Sequence, residues 1–304
     1  MSSLAHRRLK PVLHAFLRQM TNLSFFLPGR ERKAPMLAYH RVCPLRFKKE
    51  FSYNNVFPEE FEKQMQYLRA NFEAITVSEY VRKMAANLVK GNEVCVTFDD
   101  GFKDNYIYAF PVLKKYGIRA SFFLTTKYIG DSRPFPWVLM DRGGRDDFSK
   151  NPDRWLPLSW KEVGEMMDSG MEFGAHTHTH RDSLSNLSLE DARKEIEDST
   201  RTFFEKTDTR PVIFSYPHGT FKDYDPAHIE MLKGHGYLAA LTTNMGRNGS
   251  SQGLFELKRI VVYEEDSIWE FKKKVHGAYD VAERLQRIWL NAAGSKKLSD
   301  YAVK

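Results

Sequence analysis

Short runs rich in β-branched and aromatic residues alternate with segments of helical periodicity along the whole 304-residue chain. Strands that alternate with helices of this length predict a mostly parallel sheet joined by helical crossovers. About eight strands in one series predict closure into a single-domain α/β barrel, in which functional residues follow the carboxyl ends of the strands. The predicted strands are Met36–Arg41, Phe72–Thr76, Val94–Phe98, Ala120–Thr125, Met171–His176, Val212–Tyr216, Tyr237–Thr242 and Leu257–Val262.

Two helix starts between these strands carry specific signals. Pro58 is followed by Glu59 and Glu60, and acidic side chains in a first turn are favoured by the helix dipole. Ser188, with Asp191 following it in the first turn, has the capping-box pattern. These signals place helices in the crossovers, as the barrel requires.

Three segments stand outside the regular alternation. Residues 131–157 are rich in Pro, Gly, Asp and Arg, which predicts an insertion loop over the mouth of the barrel. Residues 1–34 are predicted to be a basic amphipathic extension, and residues 278–304 a helical tail. The barrel domain is therefore expected to span residues 35–277.

The net charge of +7 does not by itself indicate a nucleic-acid partner, since outside the two ends the basic residues are spread along the chain. The basic extension fits a helix lying on an anionic membrane or one docked on the domain. With no run of about 18 apolar residues and no clear signal peptide, the chain is expected to be cytoplasmic, with peripheral membrane contact through the extension. Cys95 lies in an apolar run and is expected to be a buried free thiol.

Two adjacent carboxylates, Asp99 and Asp100, end the apolar strand that starts at Val94, and Gly101 allows the chain to turn there. Paired carboxylates at a strand end are costly unless a cation lies between them or one is protonated. The alternative is that an acid here caps the helix that follows, near Asp104.

Three histidines, His176, His178 and His180, follow another predicted strand. Neutral imidazoles are the commonest nitrogen ligands of zinc and its neighbours, and a turn after His176 would bring it together with His180. Two histidines and one carboxylate also occur in non-heme iron oxygenases. A second acid, Asp99, free to accept a proton favours a hydrolase.

Two further strand ends carry residues of interest. Pro217 follows a strand and leaves the backbone N–H of His218 available to a developing oxyanion, although an ordinary turn is the alternative. His40 ends the first predicted strand, and from this segment alone a buried, hydrogen-bonded core histidine is expected.

With these residues assembled, the chain resembles the polysaccharide deacetylase family, named for the NodB homology domain. The matching motifs are Thr97-Phe-Asp-Asp-Gly101 and His176-Thr-His-Thr-His180, with a similar spacing and a similar stretch, residues 158–174, before the histidines. The resemblance covers roughly residues 35–265 and is specific, because several motifs agree in order. It implies a distorted (β/α)7–8 barrel.

The resemblance also implies roles for individual residues. Asp99 would be the general base, and Asp100, His176 and His180 would hold a divalent metal, with Zn²⁺ favoured and Co²⁺, Ni²⁺ or Mn²⁺ as alternatives. His178 is not expected to bind the metal. The substrate would be an N-acetylated, less often O-acetylated, sugar, in a polysaccharide or a lipid-linked saccharide.

The sequence departs from the family pattern at three places. Ser215 stands where many members carry arginine, and neither an Asp-x-x-Asp-Trp segment nor a late Leu-x-His is found. The chain instead resembles the exopolysaccharide deacetylases with an early Tyr-His-Arg-Val strand, which implies that His40 is the general acid. Arg259 would then replace the missing arginine as the partner of Asp99. An O-acetyl esterase with the same site and a catalytically silent carbohydrate- or lipid-binding module are the alternatives.

Overall fold

The computed structural model describes residues 32–44, 54–140, 148–149, 152–278 and 280. The predicted basic extension (1–34) and helical tail (278–304) lie almost entirely outside these residues, and the insertion (131–157) is described in part. These three predictions therefore remain predictions.

Ten strands occur in the described chain, and every strand pair among them is parallel. Seven lie in the order β10-β1-β5-β6-β7-β8-β9, β4 pairs with the start of β5, and β2 and β3 form a separate pair. The strands are β1 Met36–Tyr39, β2 Arg41–Val42, β3 Asn55–Val56, β4 Glu73–Ala74, β5 Glu93–Phe98, β6 Ser121–Leu124, β7 Glu172–Ala175, β8 Ile213–Ser215, β9 Ala239–Leu241 and β10 Ile260–Val261.

Helices fill most of the crossovers between successive strands. Among the described residues, none of them is both long and apolar enough to cross a bilayer. The α-helices are α1 Pro58–Asn71, α2 Val77–Ala85, α3 Phe110–Tyr116, α4 Pro136–Met140, α5 Trp160–Asp168, α6 Leu189–Thr207, α7 Pro226–Gly234 and α8 Ile268–Val275, with a π-helical segment at Asn105–Ala109.

Local sequence explains where several helices begin. α1 starts at Pro58 with Glu59 and Glu60 in its first turn, and the Ser188 hydroxyl accepts the Asp191 N–H at the start of α6, so both predicted starts are confirmed. α2 and α5 each begin with a complete capping box, which satisfies N–H groups that a helix leaves unpaired.

The two ends of the seven-strand sheet meet. Leu257, just before β10, bridges to Leu241 at the end of β9, with hydrogen bonds from the Leu257 N–H to Ala240 O (3.0 Å) and from the Thr242 N–H to Leu257 O (2.8 Å). Three residues later, Ile260 pairs with Leu37 of β1. The sheet therefore curls into a distorted barrel, and the predicted single-domain α/β barrel is confirmed.

Both faces of the sheet are covered by apolar side chains. Phe98, Phe122 and Phe173 of β5, β6 and β7 stack in register, at centroid distances of 4.7 and 5.3 Å, within the larger core cluster. Cys95 and Phe123, whose side chains alternate with these, belong to a second cluster. Strands buried on both faces read as continuous hydrophobic runs, which is why all eight predicted strands are found. β5 begins one residue earlier than predicted, and the other seven strands are shorter than predicted.

Candidate active site

The two adjacent carboxylates follow β5 at the point where the chain reverses. Asp100 has a left-handed backbone (φ 73°), and Gly101 continues it (φ 91°). A side chain on Gly101 would lie 2.8 Å from the Leu124 side chain and 2.9 Å from that of Ile129, so only glycine fits without displacement. The turn leaves both Asp99 and Asp100 buried at the carboxyl end of the barrel.

Two imidazoles reach the same place from β7. Thr177 and His180 have left-handed backbones (φ 63° and 49°), and the Thr177 hydroxyl accepts the His180 N–H at 3.1 Å. This turn sets the rings of His176 and His180 4.7 Å apart. Left-handed non-glycine residues are strained and cluster at functional sites, which agrees with their concentration here.

Asp100, His176 and His180 converge. The Asp100 Oδ1 lies 3.6 Å from His176 Nε2 and 3.9 Å from His180 Nε2, and one ligand atom from each residue lies within 4.8 Å of the others. Within the described ranges, no other group of three His, Cys, Asp or Glu side chains is so arranged. Two imidazole nitrogens and one carboxylate oxygen suit zinc and its neighbours and leave positions for water, so the residues fit a divalent metal.

The electrostatics of this trio also fit a cation. The His176 Nδ1 is 2.8 Å from the Ser215 carbonyl oxygen and donates to it, which leaves Nε2 as the unprotonated nitrogen facing Asp100. Burial lowers the pKa of His176 to about 3 and also lowers the pKa of His180. Burial raises the pKa of Asp100 to about 6, against the opposing charge of His40. A bound cation would stabilise this arrangement of two neutral imidazoles beside a poorly solvated carboxylate.

Asp99 is paired with an arginine from a distant strand. Arg259 Nη1 donates to Asp99 Oδ1 and Nη2 to Oδ2, each at 2.7 Å, and both side chains are buried. Ser215 lies beside them, and its hydroxyl accepts from Arg259 Nη2 at 2.9 Å. Burial would raise the pKa of Asp99, but the attraction of Arg259, followed by that of His176, brings the pKa well below its usual range. Asp99 is therefore an ionised hydrogen-bond acceptor.

His40 lies between β1 and β2. Its carbonyl oxygen accepts a hydrogen bond from Asn105 Nδ2 at 3.0 Å, whereas its buried ring Nδ1 has no partner among the described residues. The Asp99 N–H donates to the carbonyl oxygen of Tyr39 at 3.0 Å, so His40, the next residue, lies at the strand end beside the carboxylates. A buried nitrogen without a partner is expensive in a core and common in a catalytic site.

His218 follows β8. Its backbone is left-handed (φ 60°), its ring centroid is 5.4 Å from that of His180, and its side chain is exposed. Within the described chain no acceptor takes the His218 N–H. Gly219 is required next, because a side chain there would lie 2.9 Å from the Thr243 nitrogen.

Two residues that sequence reasoning missed support the site. Glu195 on α6 accepts the N–H groups of His178 (3.0 Å) and Thr179 (2.7 Å) and the Thr179 hydroxyl (2.5 Å), so it holds the loop between His176 and His180. Nothing local in a helix shows that a glutamate faces a loop. The third histidine, His178, is engaged elsewhere, with Nδ1 3.0 Å from Thr126 Oγ1.

The second missed residue is Trp137, on α4 of the insertion. Its ring centroid lies 5.1 Å from that of His180, and the ring stacks on Phe135 at 4.7 Å with a 12° interplanar angle. Trp137 is half-buried, so part of the ring remains open to solvent beside the site. The only local signal was a tryptophan between prolines and an apolar segment.

The chain is similar to known deacetylases in sequence. A family model described as polysaccharide deacetylase matches residues 87–240. YxkH of Bacillus subtilis, named as a candidate polysaccharide deacetylase, is 30% identical over 236 residues, covering 76% of this chain and 71% of that protein. The poly-β-1,6-N-acetyl-D-glucosamine N-deacetylase of Staphylococcus epidermidis is 28% identical over 216 residues, covering 65% of this chain and 68% of the relative.

Solved structures share the fold. The Streptococcus pyogenes deacetylase PplD, determined with acetate, has a TM-score of 0.65 at 24% identity and covers 81% of this chain and 99% of its own. IcaB from Ammonifex degensii has a TM-score of 0.62 at 23% identity, covering 80% and 97%. The family model and the relative at 30% identity show that the chain belongs to the polysaccharide deacetylase family of hydrolases.

Proposed function

We propose that this protein is a metal-dependent hydrolase that removes N-acetyl groups from an amino sugar in a polysaccharide or a lipid-linked saccharide. The observation that carries the proposal is the convergence of Asp100, His176 and His180 beside an ionised Asp99 that Arg259 holds in place. The name of the staphylococcal relatives, which act on poly-β-1,6-N-acetyl-D-glucosamine, supports an N-acetylated amino sugar as the substrate.

Asp100, His176 and His180 are the proposed ligands of a divalent metal, with Zn²⁺ favoured by the two nitrogens and one oxygen. Such a metal supplies Lewis-acid polarisation of the acetyl carbonyl and lowers the pKa of water. Asp99 accepts the proton of the attacking water. Because Asp99 is a weak base, its role depends on being ionised and correctly placed, and Arg259 provides both.

His40 and His218 complete the reaction. The His218 N–H donates to the oxyanion that forms from the acetyl carbonyl oxygen. This role agrees with the observation that no acceptor within the described chain takes the His218 N–H. His40 protonates the departing amine, and its unpartnered buried ring nitrogen supports that role. An amide C–N bond does not break readily without this proton, since a free amide anion is a very poor leaving group.

The test is acetate release from a panel of N-acetylated saccharides, before and after chelation and metal restoration. Wild-type protein is expected to release acetate before chelation, to lose this activity when the metal is removed and to regain it when the metal is restored. Asp99→Asn is expected to retain metal and lose turnover, and turnover by that variant would contradict the assignment of the base. No release from any N-acetylated saccharide, together with release from O-acetylated ones, would favour the esterase.

The basic residues 1–34 support peripheral contact with an anionic membrane, where a lipid-linked saccharide would be found. We also propose a cytoplasmic location for the protein. Cosedimentation of the full chain with anionic and neutral vesicles tests the contact: binding to anionic vesicles only, reduced by salt, is the expected result. Failure of the chain to bind either kind of vesicle would contradict the proposed membrane contact.

A further inference from the structure

Arg41, the residue after His40, is a fully buried cation beside the proposed site. Its Nε donates to Asp104 Oδ2 at 2.6 Å, with both side chains at 0% exposure, and its Nη2 donates to the Arg154 carbonyl oxygen at 2.5 Å. The guanidinium lies between two aromatic faces, 4.6 Å from the centroid of Phe102 and 4.1 Å from that of Trp155. Arg41 therefore joins three segments: the His40 strand, the loop after Asp100, and the insertion.

The contacts of this ion pair lead back to His40. Asp104 Oδ1 accepts from Asn105 Nδ2 at 2.9 Å, and the same nitrogen donates to the His40 carbonyl oxygen at 3.0 Å. The peptide between His40 and Arg41 is thus held by Asn105 on one side and by the Arg41–Asp104 pair on the other. Asn105 is also the first residue of the π-helical segment, a rare conformation that is frequent at functional sites.

A purely structural role explains this arrangement poorly. Burying an arginine and a carboxylate costs solvation that apolar side chains of similar size would not, so a buried ion pair is weak evidence for stability. This pair lies where it can set the position of a ring that must reach a leaving group. Misplacement of a catalytic group by about 1 Å costs on the order of 100-fold in rate.

We propose that Arg41, Asp104 and Asn105 form a positioning network that holds His40 against the site and couples it to the insertion through Arg154 and Trp155. The proposal rests on the proposed function, in which His40 protonates the leaving amine. It makes Asn105 and Arg41 positioning residues that act through His40 and touch no substrate.

The test compares two substrates of one purified, metal-loaded protein. An N-acetylated saccharide needs a proton on its leaving amine, whereas p-nitrophenyl acetate releases p-nitrophenolate, which departs without a proton. Asn105→Ala is expected to lower kcat for the saccharide about 10- to 100-fold, less than the roughly 100- to 10,000-fold that a general acid contributes, because His40 itself remains, and to change ester hydrolysis little. Metal affinity is expected to stay that of the wild type. Arg41→Lys, which retains the charge but not the fork, is expected to give a smaller loss of the same kind.

A double-mutant cycle decides whether Asn105 acts through His40. In a His40→Ala background, Asn105→Ala is expected to cause no further loss of amide turnover, because the group that it positions is gone. Tyr237→Phe is the matched control: it removes a buried hydrogen bond to Thr200 (2.8 Å) and is expected to leave the amide-to-ester ratio unchanged.

Three results would overturn the proposal: an additive loss in the double variant, a parallel fall of amide and ester hydrolysis, or weakened metal binding by Asn105→Ala. Failure of the proposed function looks different. If His40→Ala retains full amide turnover, His40 is not the general acid, and the proposed positioning network is wrong as well. If His40→Ala is inactive on amides and Asn105→Ala is not, the network alone is wrong.

Discussion

Arg259 and Asp99 lie 160 residues apart in the chain and share two hydrogen bonds of 2.7 Å between fully buried side chains. Arg259 precedes β10 and Asp99 follows β5, with β1 between these two strands in the sheet. Arg259 Nε is held by the Thr242 carbonyl oxygen at 2.9 Å, so the guanidinium is fixed before it meets the carboxylate. The small Ser215 leaves the space that the guanidinium occupies.

Arg259→Gln is therefore expected to raise the pKa of Asp99, because burial would no longer be opposed by the positive charge. A base must be deprotonated, so the acid limb of the kcat/KM–pH profile is expected to move upward by about 1–3 units. Leaving a buried carboxylate unpaired is also expected to cost about 3–5 kcal/mol of stability. An acid limb at the wild-type position would contradict the assignment of Asp99 as the base.

Asp100→Asn is expected to stabilise the metal-free protein near neutral pH. The folded-state pKa of Asp100 is raised by burial to about 6, above the unfolded value, so its contribution to stability is present at low pH and is lost as pH rises through 6. Asp100→Asn is therefore expected to raise the free energy of unfolding of the metal-free protein by about 1–3 kcal/mol at pH 8 and to change it little at pH 4. Thermal unfolding of chelated wild type and variant measures this.

The same variant is expected to lose most of its stabilisation by added Zn²⁺, because one of the three ligands can no longer ionise. Asp182→Asn, at a partly exposed carboxylate two residues after His180 that does not belong to the trio, is a suitable control and is expected to keep the stabilisation by Zn²⁺. An equal gain in Tm on adding Zn²⁺ to wild type and Asp100→Asn would show that the metal binds elsewhere.

Glu195→Ala is expected to weaken metal binding about 10- to 100-fold, since residues that orient ligands typically contribute that much. The reason is geometric: Glu195 holds the His178 and Thr179 N–H groups and so keeps His176 and His180 at their spacing. Competition with a chromogenic chelator gives the affinity. Glu197→Ala, at an exposed position of the same helix, is expected to bind metal normally.

Trp137→Ala is expected to raise KM for a saccharide about tenfold with a smaller effect on kcat, because aromatic faces contribute roughly 0.5–1.5 kcal/mol or more through stacking and burial. The ring is fixed by Phe135 and lies 5.1 Å from the His180 ring, so a sugar at the site would meet it. Hydrolysis of p-nitrophenyl acetate, which has no sugar ring, is expected to change little. Equal losses on both substrates would indicate that Trp137 shapes the metal site itself.

Much of the fold followed from local pattern. All eight predicted strands are present, because strands buried on both faces leave continuous apolar runs in the sequence. The starts of α1 and α6 were readable from Pro58 and Ser188, since capping depends on residues within one turn. Seven of the eight strands were predicted too long, by one to three residues at an end, because buried side chains continue beyond the paired residues into the adjoining turns.

Local sequence patterns predicted only those site residues that lie at or soon after a predicted strand end. Asp100, His176 and His180 stood out because they follow strand ends, and the carboxyl ends of parallel strands meet at one edge of a barrel. Glu195, Trp137 and Asp104 gave no such signal. Their roles come from facing a loop, a ring or an arginine that is distant in sequence.

The amino-acid sequence by itself determined the order of strands and helices and the chemical groups at each strand end, because φ/ψ preferences, caps and apolar periodicity act over a few residues. Tertiary structure alone decided that Arg41 lies between Phe102 and Trp155 and that Asn105 meets His40, and it brings Arg259 to Asp99, a pairing that only the family resemblance had implied. The physical reason is that these contacts depend on how the sheet curls and which strands become neighbours. The burial that results then sets the charge of each group.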